Sequence, residues 1–181
     1  MEELINPNPV IHARRHTQRR ANGPVASCGS GILDATSAAE LAAGREPIDG
    51  LEVFEHLRDI TDPEHPYTLE QLNVLDEAHI EVDDVRGTVR VQFTPTVEHC
   101  SMATLIGLCI RVKLLRCLPT RFKVDIQLSP GSHVSEAAVN KQLNDKERVA
   151  AALENPALLS MVDRCLASSD GEGAANLGGG A

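Results

Sequence analysis

Aromatic side chains are scarce in this sequence of 181 residues, which has no tryptophan, one tyrosine and three phenylalanines. Because 42% of the residues are nevertheless apolar, the core must be built mainly from valine, isoleucine, leucine and alanine. The length suits one domain with its own core and some unstructured sequence at the ends, and it argues against two full domains.

Long apolar runs are also missing. The longest candidate, residues 105–118, contains three basic side chains and is shorter than the roughly 20 apolar residues that a membrane helix requires. Near the start of the chain, prolines and asparagines take the place of the apolar block of a secretory signal. We therefore expect a protein that does not span a membrane.

A net positive charge and a dense cysteine framework are absent as well. A net charge of -9 repels a phosphate backbone, so nucleic acid is not the expected partner. The number of cysteines is odd and their spacing is wide, which fits reduced thiols in the cytosol or nucleus and predicts no disulfides. The five are Cys28, Cys100, Cys109, Cys117 and Cys165.

The chain divides into three parts by composition. Residues 1–47 mix proline, glycine, serine and charge without periodicity, and they are predicted to be a disordered N-terminal arm. Within this arm, the arginine cluster of residues 14–20 is interpreted as solvated, with a nuclear address or a transit segment as the alternatives. Residues 48–167 form the domain, and residues 168–181 are a glycine-rich tail that is predicted to be disordered.

Periodicity within the domain predicts an α+β fold. An amphipathic helix comes first, followed by a turn at Thr61–Pro66. Two strands of a β-hairpin come next, the first with alternation at Ile80 and Val82 and the second at Val85, Val89, Val91 and Phe93. After the hairpin come a nearly all-apolar helix from Ser101 to about Leu118 and a strand at Phe122–Leu128. Further helices follow, capped by Ser135 and by Asn144 or Asp145 and opened by Pro156. The prediction is a small antiparallel or mixed sheet of three to four strands, packed with a buried central helix and C-terminal helices.

Cys100 is the residue on which the chemistry is expected to centre. It lies between a predicted strand and the buried helix, where unpaired N–H groups and the helix dipole stabilise an anion, so we expect its pKa to be lowered. His99 would add positive charge if its side chain faces the sulfur. In the structural alternative, Cys100 is a small residue that fills a tight junction. Cys109 and Cys117 lie inside the apolar helix and are predicted to fill the core.

No zinc-type spacing of cysteine and histidine, phosphate loop or nucleophile elbow occurs in the sequence. Cys100 and Cys109 lie nine residues apart and so face opposite sides of a helix, which prevents them from sharing one metal ion. Any metal bound through Cys100 would need ligands from distant residues, a second subunit or another protein.

Several blocks of sequence resemble the cytosolic iron-sulfur assembly component 2 family, which carries the iron-sulfur assembly domain of bacterial SufT-like proteins. The resemblance covers about residues 48–167 and is closest to plant-type members. The blocks that carry it are Asp62–Pro66, Phe93–Thr96, His99–Thr104 and Asn144–Asn155.

The resemblance implies an adaptor, and not an enzyme, in the complex that hands assembled clusters to cytosolic and nuclear apoproteins. The implied partners are a WD40 β-propeller subunit, a HEAT-repeat scaffold and the apo iron-sulfur client proteins. The family's reactive cysteine corresponds to Cys100, which would hold a transient or shared iron-sulfur cluster or iron ion that the chain alone does not keep. Asp62, Glu64 and His99 are candidate supporting residues, with capping of a turn or helix as the alternative for each.

Two other functions stay open. A thiol-dependent redox enzyme would use Cys100 as its nucleophile, and a purely structural scaffold would not need the thiol. The helices near the C-terminus follow short hinges that would allow two copies of the chain to exchange these helices, so the sequence leaves open whether the protein is a monomer or a homodimer.

Overall fold

The computed structural model describes residues 9–15, 47–97 and 102–170, which form a three-stranded sheet packed with five helices. This architecture confirms the predicted α+β class with C-terminal helices. The helices are α1 (Gly50–Leu57), α2 (Met102–Cys117), α3 (Glu136–Asn144), α4 (Lys146–Glu154) and α5 (Pro156–Asp170), and the strands are β1 (Leu75–Asp83), β2 (Thr88–Phe93) and β3 (Lys123–Leu128).

The sheet is mixed, in the order β1-β2-β3. β1 and β2 form the predicted antiparallel hairpin, with Val82 opposite Val89, whereas β2 and β3 run parallel, with Val91 opposite Ile126. A parallel pair needs a long crossover connection, and α2 supplies it. The segment from β2 through α2 to β3 is therefore a β–α–β unit.

The hairpin differs from the sequence prediction at two places. β1 begins at Leu75, five residues before the Ile80 at which the alternation becomes visible, because its register is irregular between these two residues. Val85 was expected to extend the alternation of the second strand, but it lies exposed in the turn before β2. Gly87 ends this turn at φ 62°, and a Cβ there would lie 2.8 Å from the carbonyl oxygen of Arg121.

The core surrounds α2, as predicted from its nearly all-apolar sequence. Eleven of its 16 residues are buried, including Cys109, Arg111 and Lys113. The two charged side chains reach polar atoms at the edge of the core: Arg111 donates to the carbonyl oxygen of Val124, and Lys113 donates to that of Ser169. Burial lowers the pKa of Arg111.

The core-filling prediction is confirmed for Cys109 and is wrong for Cys117. Cys117 is exposed because the last turn of α2 emerges from the core, and it is exposed together with Leu115 and Arg116. Hydrophobicity of the segment as a whole does not show where a helix leaves the interior.

Of the C-terminal helices, α3 packs against the edge strand β3. Asp145 caps α4 by accepting from the N–H groups of Glu147 and Arg148, so the cap expected at Asn144 or Asp145 is at Asp145. Ser135 precedes α3 but makes no capping hydrogen bond with its side chain. α5 begins at Pro156 as predicted, and it continues to Asp170, three residues into the predicted tail.

Part of the predicted N-terminal arm lies against the domain. Within residues 9–15, the N–H of His12 donates to the carbonyl oxygen of Gln71, and the N–H of Arg15 donates to the carboxylate of Glu70. This segment is therefore attached to the domain through the backbone of His12 and Arg15. Among the described helices, none is long and apolar enough to cross a membrane.

Candidate functional site

The turn at Thr61–Pro66 is organised by the carboxylate of Asp62. Its Oδ1 accepts from the N–H of Glu64 at 2.8 Å and from the N–H of His65 at 3.0 Å. Asp62 is buried, so these two hydrogen bonds offset the cost of removing its carboxylate from water. Pro63 and Pro66, which stand on either side of His65 in the sequence, restrict the backbone further. The turn is therefore a fixed structure, as its sequence predicted.

Two chain segments flank the turn and pair with each other. The N–H of Asp62 donates to the carbonyl oxygen of Tyr67, and the N–H of Leu69 donates to that of Ile60. Thr61 and Thr68 form an isolated antiparallel bridge between them. The turn thus stands at the tip of a short two-stranded loop that begins just after α1.

His65 is the unusual member of the turn. Its side chain is 4% exposed, and its Nε2 has no hydrogen-bond partner among the described residues. Buried polar atoms in folded proteins nearly always have a partner, so the unpaired Nε2 sets His65 apart from the other residues of the turn.

A cavity of about 310 Å³ adjoins the turn. Residues 61–66 form one wall, and Arg164 and Cys165 of α5 form the other. The main chain fixes this arrangement, since the N–H of Thr61 donates to the carbonyl oxygen of Cys165. The cavity therefore places carboxylate, imidazole, guanidinium and thiol groups within one small space.

Cys165 contacts a second thiol in the core. The thiol of Cys109 hydrogen-bonds to the sulfur of Cys165, which lowers the pKa of Cys165, and the positive charge of Arg164 acts in the same direction. The same hydrogen bond, together with burial, raises the pKa of Cys109. Of this pair, Cys165 is therefore the thiol that ionises first.

The segment leading to Cys100 begins at a fixed point. Thr94, which follows β2, donates its N–H to the carbonyl oxygen of Val74, and its hydroxyl donates to the hydroxyl oxygen of Ser129. The N–H of Val74 in turn donates to the carbonyl oxygen of Leu69. This chain of hydrogen bonds connects the end of β2 to the loop that carries the turn. The buried helix α2 begins at Met102, two residues after Cys100 in the sequence.

The predicted site residues fall into two groups. Cys100 and His99 lie outside the described residues, so the expectation of a thiolate there stays a prediction. Asp62 and Glu64 lie in the turn, where Asp62 accepts backbone hydrogen bonds and Glu64 lines the cavity. The described residues therefore bring together the acidic half of the predicted site.

Sequence reasoning did not select His65 or Cys165 as site residues. His65 stands inside the Asp62–Pro66 block, and that position between two acidic residues and a proline was the available signal. Nothing in the local sequence of Cys165 indicates that it approaches the turn, because the two are about 100 residues apart. In the described part of the chain, no group of three or more histidine, cysteine or acidic side chains could hold a metal ion.

The central part of the chain matches a known protein family. Residues 51–128, from α1 to the end of β3, match the family model described as iron-sulfur cluster assembly protein. The match contains the complete sheet, the turn at Thr61–Pro66 and the buried helix α2. This part of the chain is thus an iron-sulfur cluster assembly domain.

Relatives extend the match over most of the chain. Protein AE7 of Arabidopsis thaliana is 59% identical over 167 residues, covering 92% of this chain and 98% of its own. Cytosolic iron-sulfur assembly component 2B of Mus musculus is 52% identical, covering 91% and 92%. MIP18 family protein galla-2 of Drosophila melanogaster is 58% identical, covering 68% and 79%. The chain belongs to this family of iron-sulfur cluster assembly proteins, as its sequence blocks indicated.

Proposed function

We propose that this protein works in cytosolic iron-sulfur cluster assembly as the adaptor subunit of a targeting complex. It receives assembled clusters from its partners and delivers them to cytosolic and nuclear apoproteins. The observation that carries this proposal is the 52% identity, over nine-tenths of both chains, to a protein named cytosolic iron-sulfur assembly component 2B.

Cys100 is the proposed functional thiol. A cysteine that precedes a buried helix is close to unpaired N–H groups, which favour the thiolate that binds iron or a cluster sulfur. The described residues include no group of three or more histidine, cysteine or acidic side chains that could hold a metal ion, and in this proposal the cluster is cargo that a partner helps to hold. His99 is a supporting residue in this proposal.

The two carboxylates of the turn are proposed to have different roles. Asp62 has a positioning role, because its Oδ1 is already engaged by two backbone N–H groups. Glu64 lines the cavity and is the carboxylate that is available to the cargo or to a partner. A solvated acidic surface with a net charge of -9 suits protein partners of complementary charge.

Affinity purification of the tagged full chain from cell extract tests the adaptor role. A WD40 propeller protein and a HEAT-repeat protein are expected to co-purify in stoichiometric amounts, as quantified by mass spectrometry. A tagged unrelated protein of similar net charge is the control for charge-driven association. Absence of both partners would contradict the adaptor proposal.

Assays of the purified protein test the two remaining parts of the proposal. The chain alone is expected to retain much less than one iron atom per molecule after desalting, whereas a stoichiometric cluster would show a resident cofactor instead of cargo. It is also expected not to turn over peroxide or disulfides. Sustained turnover that disappears in Cys100→Ala would favour the thiol-dependent redox enzyme.

A further inference from the structure

Residues 9–15, here called the N-terminal strap, bind an acidic edge of the domain. The guanidinium of Arg15 makes two hydrogen bonds to the carboxylate of Asp76, at 3.1 and 3.0 Å. Arg14 forms an ion pair with Asp59. Paired hydrogen bonds from arginine to a carboxylate add geometric specificity to the attraction. The contact is therefore a specific one and more than a general attraction between a basic arm and an acidic protein.

The backbone of the strap closes a buried ion pair, in the sense that it completes the hydrogen bonding of both partners. Arg58 donates from Nε and Nη2 to the two carboxylate oxygens of Glu70, each at 3.0 Å, and both side chains are less than one-tenth exposed. Arg15 completes the pair from outside: its N–H donates to Oε1 of Glu70, and its carbonyl oxygen accepts from Nη2 of Arg58. Without the strap, one hydrogen-bonding position on each partner would face water.

This ion pair stands at the base of the loop that carries the turn. Arg58 follows α1, Glu70 lies on the returning segment, and the N–H of Glu70 donates to the carbonyl oxygen of Arg58. The pairs Ile60 with Leu69 and Asp62 with Tyr67 continue from there to the tip. The base, the flanking segments and the tip thus form one continuous ladder of contacts.

We propose that the N-terminal strap positions the candidate site: by closing the Arg58–Glu70 ion pair, it holds the turn at Thr61–Pro66 rigid. Arg14 and Arg15 attach the strap through side chains that are about half exposed, so salt weakens the attachment, whereas the buried pair beneath is screened much less. Detachment of the strap loosens the turn from its base. The consequence for cluster handling rests on the proposed function, but the mechanical coupling does not.

Hydrogen exchange of single amides, measured by NMR on the full chain, tests this coupling. The double variant Arg14→Ala/Arg15→Ala removes the side-chain attachments of the strap. The reporters are the amides of Glu64 and His65, which donate to Asp62. We expect their exchange to accelerate about two- to thirtyfold, the range that the loss of two exposed ion pairs implies.

Two controls separate coupling from general destabilisation. The amide of Ile126 in β3, which donates to the side chain of Asn144 in α3, is remote from the strap in the contact network and should change by less than about twofold. Arg86→Ala removes an exposed arginine from the hairpin turn, where it pairs with Asp83, and should leave all three amides unchanged. Raising the salt concentration should accelerate the turn amides of the wild-type chain and have little effect on the double variant.

Three results would overturn the proposal. These are unchanged exchange at Glu64 and His65 in the double variant, equal acceleration at Ile126, or the same acceleration in Arg86→Ala. Because exchange is read without cargo or partners, each of these results is independent of whether Cys100 carries clusters.

Discussion

At the scale of single residues, two asparagine side chains hydrogen-bond to the backbone of β3 on the side where no further strand pairs with it. β3 is an edge strand, and Asn144 accepts from the N–H of Ile126 at 3.0 Å and donates to its carbonyl oxygen at 2.9 Å. Asn140, one helical turn earlier, accepts from the N–H of Leu128 at 2.8 Å. Edge strands expose unpaired backbone groups that invite aggregation, and these side chains satisfy them. Asn144 belongs to a block that resembles the family, and here it has a structural reason to be there.

Asn144→Ala is predicted to destabilise the fold by about 1–3 kcal/mol, because it leaves a partly buried N–H and carbonyl of Ile126 without partners. The measurement is the free energy of unfolding in urea. Gln142→Ala, an exposed amide on the same helix, is the matched control and should change it by less than about 0.5 kcal/mol. Equal effects of the two variants would show that the pairing with β3 does not contribute.

At the scale of elements, the N-terminal strap makes stability depend on pH. The hydrogen bonds from Arg15 lower the pKa of Asp76 below its usual value of 3.8, and the N–H of Ala78 adds to this effect. A carboxyl group whose pKa is lower in the folded state stabilises that state above the unfolded pKa, and the contribution is lost as the pH falls through the folded value. The strap should therefore be bound at neutral pH and released in acid.

Arg15→Ala is predicted to lower the free energy of unfolding by about 0.2–1 kcal/mol at pH 7, a small effect because both charges of the Arg15–Asp76 pair are partly solvated. Urea titrations between pH 7 and pH 2 should show this difference shrinking below pH 3.8 as Asp76 takes up its proton. In an Asp76→Asn background, the effect of Arg15→Ala should be smaller and independent of pH. A difference that grows on acidification would contradict the assignment.

The helices and strands also show which features of the fold can be predicted from local sequence. Alternation and apolar runs predicted the hairpin, α2 and β3, because each of these depends on residues that are near one another in the chain. The parallel pairing of β2 with β3 was left open between antiparallel and mixed sheets, since it is decided by where α2 returns the chain. The last turn of α2 was mispredicted at Cys117 for the same reason: the position of the core boundary is a property of the packed molecule.

At the scale of the whole molecule, the candidate site combines segments that are far apart in sequence. The turn at Thr61–Pro66 was recognisable from its acidic residues and prolines, whereas the role assigned to Cys100 stays a prediction. The contribution of Cys165 from α5 and the docking of Arg15 could not be predicted from local sequence, because they depend on contacts across about 100 and about 60 residues. Local sequence thus specifies the chemical groups, and tertiary packing decides which of them meet.

The most direct test of the whole proposal is the maturation of client iron-sulfur enzymes in cells whose endogenous protein is replaced by Cys100→Ala. Client activity is predicted to be lost while the purified variant unfolds at nearly the same temperature as the wild type. Cys117→Ala, which removes an exposed cysteine from the far end of α2, is the control and should support normal maturation. Normal client activity with Cys100→Ala would contradict the assignment of Cys100 as the thiol that handles the cluster.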